Sequence, residues 1–453
     1  MAKLSFSGVF FLLVLMVTAP TGFVFTFFPV LLLIVARVVF QARPKSLVRL
    51  FGVWYDTVQA LWTGLVVILL ECLLQLRLAF TVACSVKDTP PRLEDVFGPP
   101  TQNGKFKIII MNHRCRIDWL VLFPFLARAG GARALRIVLK SELSRIPVFG
   151  WAMQFFRYIF LTRKWTQDEE RMREMIELYK SSGGSTILIF PEGTDLSKSN
   201  VEKSNAYAAQ NGLPIFHHVL NPRTTGFLAM KNMIGVENIE EIIDVTMGYT
   251  DFVPGERPEE LSVVNGRMPK KVHILCTRHH MKLKPNENDN KEQTSEDGLS
   301  DAPVTDNELH AWINDRFAKK EILLSQFYAN NPVGFETHQV RNVFGENCKV
   351  FTYDQDEDAA KHPGSTKFSR FLRDVGLWRG FIAVLAFWIF PVLYCVFFPS
   401  KLLLLWCVFC IGFCQWIVHE KGSLLQWLLL QPLNEDRDRK VNISKKGSEK
   451  KDK

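Results

Sequence analysis

The stretch Ser185-Thr-Ile-Leu-Ile-Phe-Pro-Glu-Gly-Thr194 is a short apolar run, Ser185–Phe190, stopped by a proline and a glycine. A run of this length bounded by turn residues fits a strand buried on both faces, as in sheets covered by helices. Outward from it, strand-like and helix-like pieces alternate. Upstream lie a strand at Phe106–Met111, a helix at Trp119–Arg128, a strand at Arg136–Leu139, a turn at Pro147–Trp151, a short strand at Tyr158–Leu161 and a polar-faced helix at Asp168–Tyr179. Downstream, Pro214–Leu220, Asp244–Tyr249 and Val272–Leu275 read as further strands. The alternation predicts an α/β domain with a mixed or largely parallel sheet over residues 100–330.

A second stretch, Ile108-Ile-Ile-Met-Asn-His-Arg-Cys-Arg-Ile-Asp-Trp119, sets a histidine and an aspartate behind another apolar strand. Two readings compete. Asn112 caps a helix, and His113 and Asp118 are ordinary polar residues near its start. Alternatively, His113 is a base and Asp118 the carboxylate that orients it. Five residues along an α-helix turn the side chain through about 500°, leaving the two about 140° apart. The pair therefore meets only if His113 lies in a turn and Asp118 inside the helix. Cys115 beside His113 raises a thiol nucleophile, but residues two apart at a helix start do not face each other.

The rest of the chain bounds the class. Of 453 residues, 47% are hydrophobic, with 36 Phe and 11 Trp, and the greasiest stretches lie towards the ends. Phe6–Phe40 carries no charge except Arg37. It is too long for the apolar core of a cleaved signal and long enough to span a bilayer, with a bend expected at Pro20 and Pro29. Val58–Cys84 is apolar but holds Glu71 and Arg77, so it lies shallow or packs its charged side on protein. Phe381–Phe398 and Leu402–Val418 flank Pro399-Ser-Lys401 as a membrane hairpin. The chain thus divides into membrane-anchor helices (1–99), the α/β domain (100–330), a connector (331–373), a transmembrane hairpin (374–432) and a basic tail (433–453). Pro285–Glu308 is polar and acidic and reads as a disordered insertion; Glu308–Tyr328 follows as an amphipathic helix docked on the domain by Leu309, Trp312, Ile313, Phe317, Ile322 and Phe327.

Net charge is +9, concentrated beside the membrane runs at Arg37, Arg43, Lys45 and Arg49 and in Arg437–Lys453. Such flanks favour the cytosolic leaflet. No basic stripe with interleaved aromatics marks the middle domain, which argues against nucleic acid as a partner. The nine cysteines lack zinc spacing, so no metal is expected. Lys450-Lys451 near the C-terminus resemble a retrieval signal of the endoplasmic reticulum or are plain surface charge, and Asn442-Ile-Ser444 is a glycosylation pattern in a tail placed in the cytosol.

Four polar pieces fall at or just past predicted strand ends, where ligands collect in open α/β sheets. They are His113 to Asp118, Phe160-Leu-Thr-Arg163, Phe190-Pro-Glu-Gly-Thr194 and Val219-Leu-Asn-Pro-Arg-Thr-Thr-Gly226. This set resembles the glycerolipid acyltransferase family, which is marked by an NHxxxxD motif followed by FPEGT. The wording around the motifs, "MNHRCRIDW", "FGWAMQ", "IFPEGTDLSKSN" and "NPRTTGF", is most similar to its lysocardiolipin and lysophosphatidylinositol acyltransferase branch. The acidic insertion departs from the compact form of that branch, outside the motifs.

The resemblance implies a membrane enzyme that moves an acyl group from acyl-CoA, a co-substrate, to a lysophospholipid, with no bound cofactor. It casts His113 as general base and Asp118 as its orienting partner. Arg163 and the Glu192-Gly193-Thr194 turn are then the acceptor site: Arg suits a phosphodiester, Gly193 allows close backbone approach, and Glu192 orients Arg163 or binds a hydroxyl. Lys140 is a further basic candidate, or a solvated lysine. Arg114 and Arg116 attract anionic substrate or lie in solvent. The alternatives are a lysophosphatidic acid acceptor, or a silent lipid-binding scaffold that keeps the fold. The implied location is the endoplasmic reticulum membrane, with several crossings and a cytosolic active domain and C-terminus.

Overall fold

The computed structural model describes residues 4–84, 90–252, 260–281, 300–329, 334–361 and 378–430. The described residues fall into two compact units. The first comprises the residues up to Met16, Ala60–Val138 and Glu169–Ala386, and the second Val17–Gln59, Leu139–Asp168 and the residues from Phe387 on.

The first unit is built on a mixed sheet of β1 (Arg77–Cys84), β2 (Phe106–Met111), β3 (Leu135–Lys140, up to Val138 in this unit), β5 (Ser185–Ile189), β6 (Ile239–Tyr249), β7 (Lys271–Met281), β8 (Ser300–Ala302) and β9 (Lys349–Asp354). The path runs β3-β5-β2-β6-β7-β1-β9, with β8 beside β7. The pairs β3–β5, β5–β2, β2–β6 and β7–β1 are parallel, and β6–β7 and β1–β9 antiparallel. β2 and β5 are buried along their whole length, which explains their unbroken apolar sequences.

Several expectations are corrected. The apolar run Val58–Cys84 divides: the helix Lys45–Ile68 continues through a π turn to Leu73, and residues 77–84 become β1. The sheet thus recruits residues from the expected anchor region. Glu71, near the end of that helix, forms a two-pronged ion pair with Arg128 at 2.7 and 2.8 Å, both side chains buried. The charge faces protein, which removes the cost of a bare carboxylate in lipid. The connector expected to be irregular contains the helix Thr337–Phe344, β9 and the helix Gln355–Lys361. Its strand mixes polar and apolar residues, as an edge allows: among the described residues β9 pairs with β1 alone.

Pro214–Leu220 is not a strand. The N–H groups of His217, His218 and Val219 donate to the Glu321 carboxylate at 2.8, 2.7 and 3.1 Å, so they do not join a ladder. Pro147–Trp151 enters a helix, Phe149–Phe155. The docked helix Asp306–Ala329 buries Leu309, Ile313, Phe317 and Phe327 as its periodicity predicts, but Ile322 is exposed. Its buried face instead includes Arg316 and Lys320, which meet Asp244 of β6 at 2.6 and 2.5 Å. The acidic insertion is bounded sooner than expected, since residues 300–302 form β8; residues 285–299 of it, residues 362–373 of the connector and the tail 433–453 with Lys450, Lys451 and Asn442 lie outside the described residues.

The second unit holds β4 (Ile159–Leu161), the helix Phe28–Val38 and an aromatic core of Phe23, Phe27, Phe51, Tyr55, Trp151 and Phe155. Asp56 is paired there with Arg157. Among the described residues four helices are long and apolar enough to cross a membrane: Phe6–Phe25, Lys45–Leu73, Gly380–Phe397 and Lys401–Lys421. The last two follow one another closely and expose Phe397, Phe398, Leu402 and Leu404. Ser400 caps the second of them through a 3.1 Å bond from Leu403 N–H. An unpartnered apolar surface on this scale is what a lipid-facing hairpin requires. The protein is a membrane-anchored α/β protein.

Candidate active site

The site begins where β2 ends. Asn112 does not cap a helix. Its side chain exchanges two hydrogen bonds with the backbone of Met247 on β6, Nδ2 to O at 3.1 Å and N–H to Oδ1 at 2.8 Å. This fastens the strand end to its neighbour and leaves His113 in the turn that follows. The helix Asp118–Arg128 starts on Asp118 itself. His113 outside the helix and Asp118 on its first residue is the arrangement that a five-residue spacing needs, and His113 Nδ1 lies 2.9 Å from Asp118 Oδ2.

Asp118 is fully buried. Oδ2 also accepts the Cys115 N–H at 2.9 Å, while Oδ1 accepts the Tyr249 hydroxyl at 2.6 Å and the Cys115 thiol at 2.9 Å. A carboxylate only accepts, so the proton between the pair belongs on His113 Nδ1 and the lone pair on Nε2. Among the described residues nothing bonds Nε2, and the His113 side chain is 18% exposed. The ring of Phe190 stacks on the imidazole at 4.2 Å and 28°. This nitrogen can take a proton from a bound hydroxyl.

Cys115 is no nucleophile here. Burial first, then the Asp118 charge, push its thiol well above the usual range. It stays protonated as a donor to Asp118.

The turn after β5 is bound differently. Glu192 Oε1 accepts the His113 N–H at 2.7 Å and Oε2 the Leu220 N–H at 3.0 Å. Burial raises this carboxyl well above the ordinary range, against the two backbone donors that lower it. In the structure each Glu192 oxygen takes one backbone donor, so the residue braces two loops. Gly193 has φ +71°, a left-handed conformation that favours glycine, and its N–H closes the turn on Phe190 O at 3.0 Å. Thr194 Oγ1 accepts from Asn200 Nδ2 at 3.0 Å. Arg223, from the fourth motif, donates its N–H to Pro191 O at 2.7 Å, and its Cδ would stand 3.6 Å from a Cβ at Gly193.

The remaining candidates separate. Arg163 and Lys140 belong to the second unit, whereas His113, Asp118, Glu192, Gly193 and Thr194 are in the first. Arg163 follows β4 with φ +64°, a strained value for an arginine. Lys140 is half exposed and pairs with Glu142 at 3.2 Å, as a solvated lysine does. Arg116 is exposed, but Arg114 is buried; it donates to Phe252 O at 2.6 Å and lies 4.4 Å over the Tyr328 ring. Sequence reasoning missed Tyr249 as part of the site, and named Phe190 only as the first residue of its motif without its stacking on His113. Tyr249 stands 131 residues from Asp118, with no local pattern to link them. Among the described residues no group of three His, Cys, Asp or Glu is placed to hold a metal.

The sequence profile of the acyltransferase family, described as "Acyltransferase", matches residues 99–248. Lysocardiolipin acyltransferase 1 of Mus musculus is 32% identical over 330 residues, 72% of this chain and 74% of that protein. Lysophosphatidylinositol acyltransferase 10 of Caenorhabditis elegans is 32% identical over 238 residues, 52% and 56% of the two chains. 1-Acyl-sn-glycerol-3-phosphate acyltransferase 2 of Arabidopsis thaliana is 28% identical over 276 residues, 60% and 64%. No solved structure matches the chain.

Proposed function

This chain belongs to the glycerolipid acyltransferase family, and from that premise we propose that it is an acyl-CoA-dependent lysophospholipid acyltransferase with His113 as its base. Its acceptors are the anionic lysophospholipids lysophosphatidylinositol, lysophosphatidylglycerol and lysocardiolipin, and acyl-CoA is a co-substrate with no further cofactor. The observation that carries the reading is the His113–Asp118 bond of 2.9 Å with Nε2 unoccupied among the described residues. The names of two relatives favour these acceptors.

In the proposed reaction the acceptor hydroxyl gives its proton to His113 Nε2 as its oxygen attacks the thioester carbonyl. Asp118 stabilises the imidazolium that results. The tetrahedral adduct collapses, the carbon–sulfur bond breaks, and the imidazolium returns its proton to the departing CoA thiolate. The thioester is already activated, so no acyl-enzyme is needed. Gly193 and Thr194 line the acceptor side, and Glu192 holds the His113 loop in place; the planar donor fork of Arg163 suits a phosphodiester. The active domain faces the cytosol from the endoplasmic reticulum membrane, where acyl-CoA is available.

The plant relative's name favours a second acceptor, lysophosphatidic acid. One assay separates the two: purified protein in micelles, acyl-CoA, and a panel of lysophospholipids. Highest kcat/KM on lysophosphatidylinositol, lysophosphatidylglycerol or lysocardiolipin is expected. Highest kcat/KM on lysophosphatidic acid moves the assignment to the second acceptor, and no transfer to any of them removes the reading. For topology, protease added to sealed microsomes is expected to remove a C-terminal tag, and protection of the tag would reverse the orientation.

A further inference from the structure

We propose that Tyr249, together with the Cys115 thiol, tunes the basicity of His113 by sharing the charge of Asp118. The inference rests on the reading of His113 as the base. It concerns positioning residues, since neither side chain contacts Nε2.

A buried carboxylate 2.9 Å from an imidazole attracts imidazolium strongly, because little solvent screens the pair. Left alone, such a partner holds the histidine protonated, and a protonated histidine is no base. Here Asp118 is not left alone. Oδ1 carries two donors, the Tyr249 hydroxyl at 2.6 Å and the Cys115 thiol at 2.9 Å, and Oδ2 carries the Cys115 N–H beside the imidazole. With His113 that makes four donors on a carboxylate that offers about four lone-pair sites. Each donor stabilises the carboxylate charge itself, so less of it is available to hold the imidazolium.

The surrounding groups give the two donors this task. From β6, Tyr249 is fully buried, and burial followed by the Asp118 charge keeps its phenol protonated. From the turn after β5, the Glu192 carboxyl faces the His113 backbone and not its ring. From the turn of His113 itself, Arg114 is engaged with Phe252 O and the Tyr328 ring. From the helix Asp306–Ala329 come Tyr328, whose hydroxyl accepts the Tyr249 N–H at 3.0 Å, and Lys320, which is paired with Asp244. The donors to Asp118 beside His113 are Tyr249 and Cys115.

The test is the pH profile of kcat/KM, whose acid limb reports the free enzyme's essential base. Tyr249→Phe removes one hydrogen bond to a charged group and is expected to move that limb up by about one pH unit. The position of the limb is read against each variant's own plateau, whatever the height of that plateau. Cys115→Ala removes the weaker S–H donor and moves the limb less, in the same direction; it serves also if Tyr249→Phe fails to fold. A limb that stays in place, or a uniform loss at every pH, overturns the inference. His113→Ala run alongside separates the two layers. An active His113→Ala removes the base reading itself, while an inactive one with unmoved limbs in the other variants removes only the role of Tyr249 and Cys115.

Discussion

The turn after β2 and the turn after β5 look alike on paper. Each follows a fully buried strand, and each delivers a buried acid, Asp118 or Glu192, beside His113. They differ in what the acid holds. Asp118 takes an imidazole, a phenol and a thiol as well as one backbone N–H, so its partners are mostly side chains that can exchange or share protons. Glu192 takes two backbone N–H groups, which do neither. The first turn leaves one nitrogen open to a ligand, and the second commits each oxygen of its carboxylate to a backbone donor. A buried carboxylate among motif residues is therefore not by itself a catalytic one; its partners decide.

The sharpest way to break this contrast is His113→Ala. It is expected to lower kcat by about 10²–10⁴-fold while the protein stays folded, because Asp118 keeps its Cys115 and Tyr249 donors when the imidazole is lost. Near-parental turnover in the purified variant would remove the base from the first turn. Glu192→Ala should behave in the opposite sense. It leaves the N–H groups of His113 and Leu220 without acceptors, at about 1–3 kcal/mol each where they stay buried. A clear drop in Tm is expected, and an unchanged Tm with lost acceptor binding would restore Glu192 as a ligand contact.

Acid separates loss of the base from loss of the fold. His273 and His279 on β7 are buried, and burial, helped by nearby Lys271 and Arg316 respectively, lowers them to about 4 and about 3. The unfolded chain binds their protons from about pH 6.5 downward and the folded chain does not. Stability is therefore fully present above that pH and falls as pH drops towards 4 and 3, by about 1.4 kcal/mol per pH unit for each. Tm measured from pH 7.5 to 4.5 should fall, with a shallower slope in His273→Gln. A flat Tm would mean that any acid loss of activity belongs to the site alone. The smallest effect is expected for Lys140→Ala. Its ion pair with Glu142 is exposed, so Tm and acceptor KM should stay at parental values, and a raised acceptor KM would return Lys140 to the site.

Much of this was legible in the amino-acid order. The apolar runs of β2 and β5 announce buried strands because burial on both faces demands unbroken hydrophobicity. Likewise, the spacing of His113 and Asp118 states the condition under which they meet, a turn followed by a helix start, and composition alone marks the N-terminal run and the C-terminal hairpin as membrane segments, though not the helix Lys45–Leu73, part of which reads as a shallow or protein-packed run. Tertiary structure alone decided the rest. β1 was hidden because residues 77–84 are as apolar as the helix before them, and only the neighbours β7 and β9 make them a strand. β9 was hidden for the opposite reason, since an edge strand need not be apolar. Pro214–Leu220 lost its ladder to Glu321, more than 100 residues away. Asp118 meets Tyr249 across 131 residues and Glu192 meets Leu220 across 28, because hydrogen bonds require atoms within about 3 Å in space and place no condition on distance along the chain.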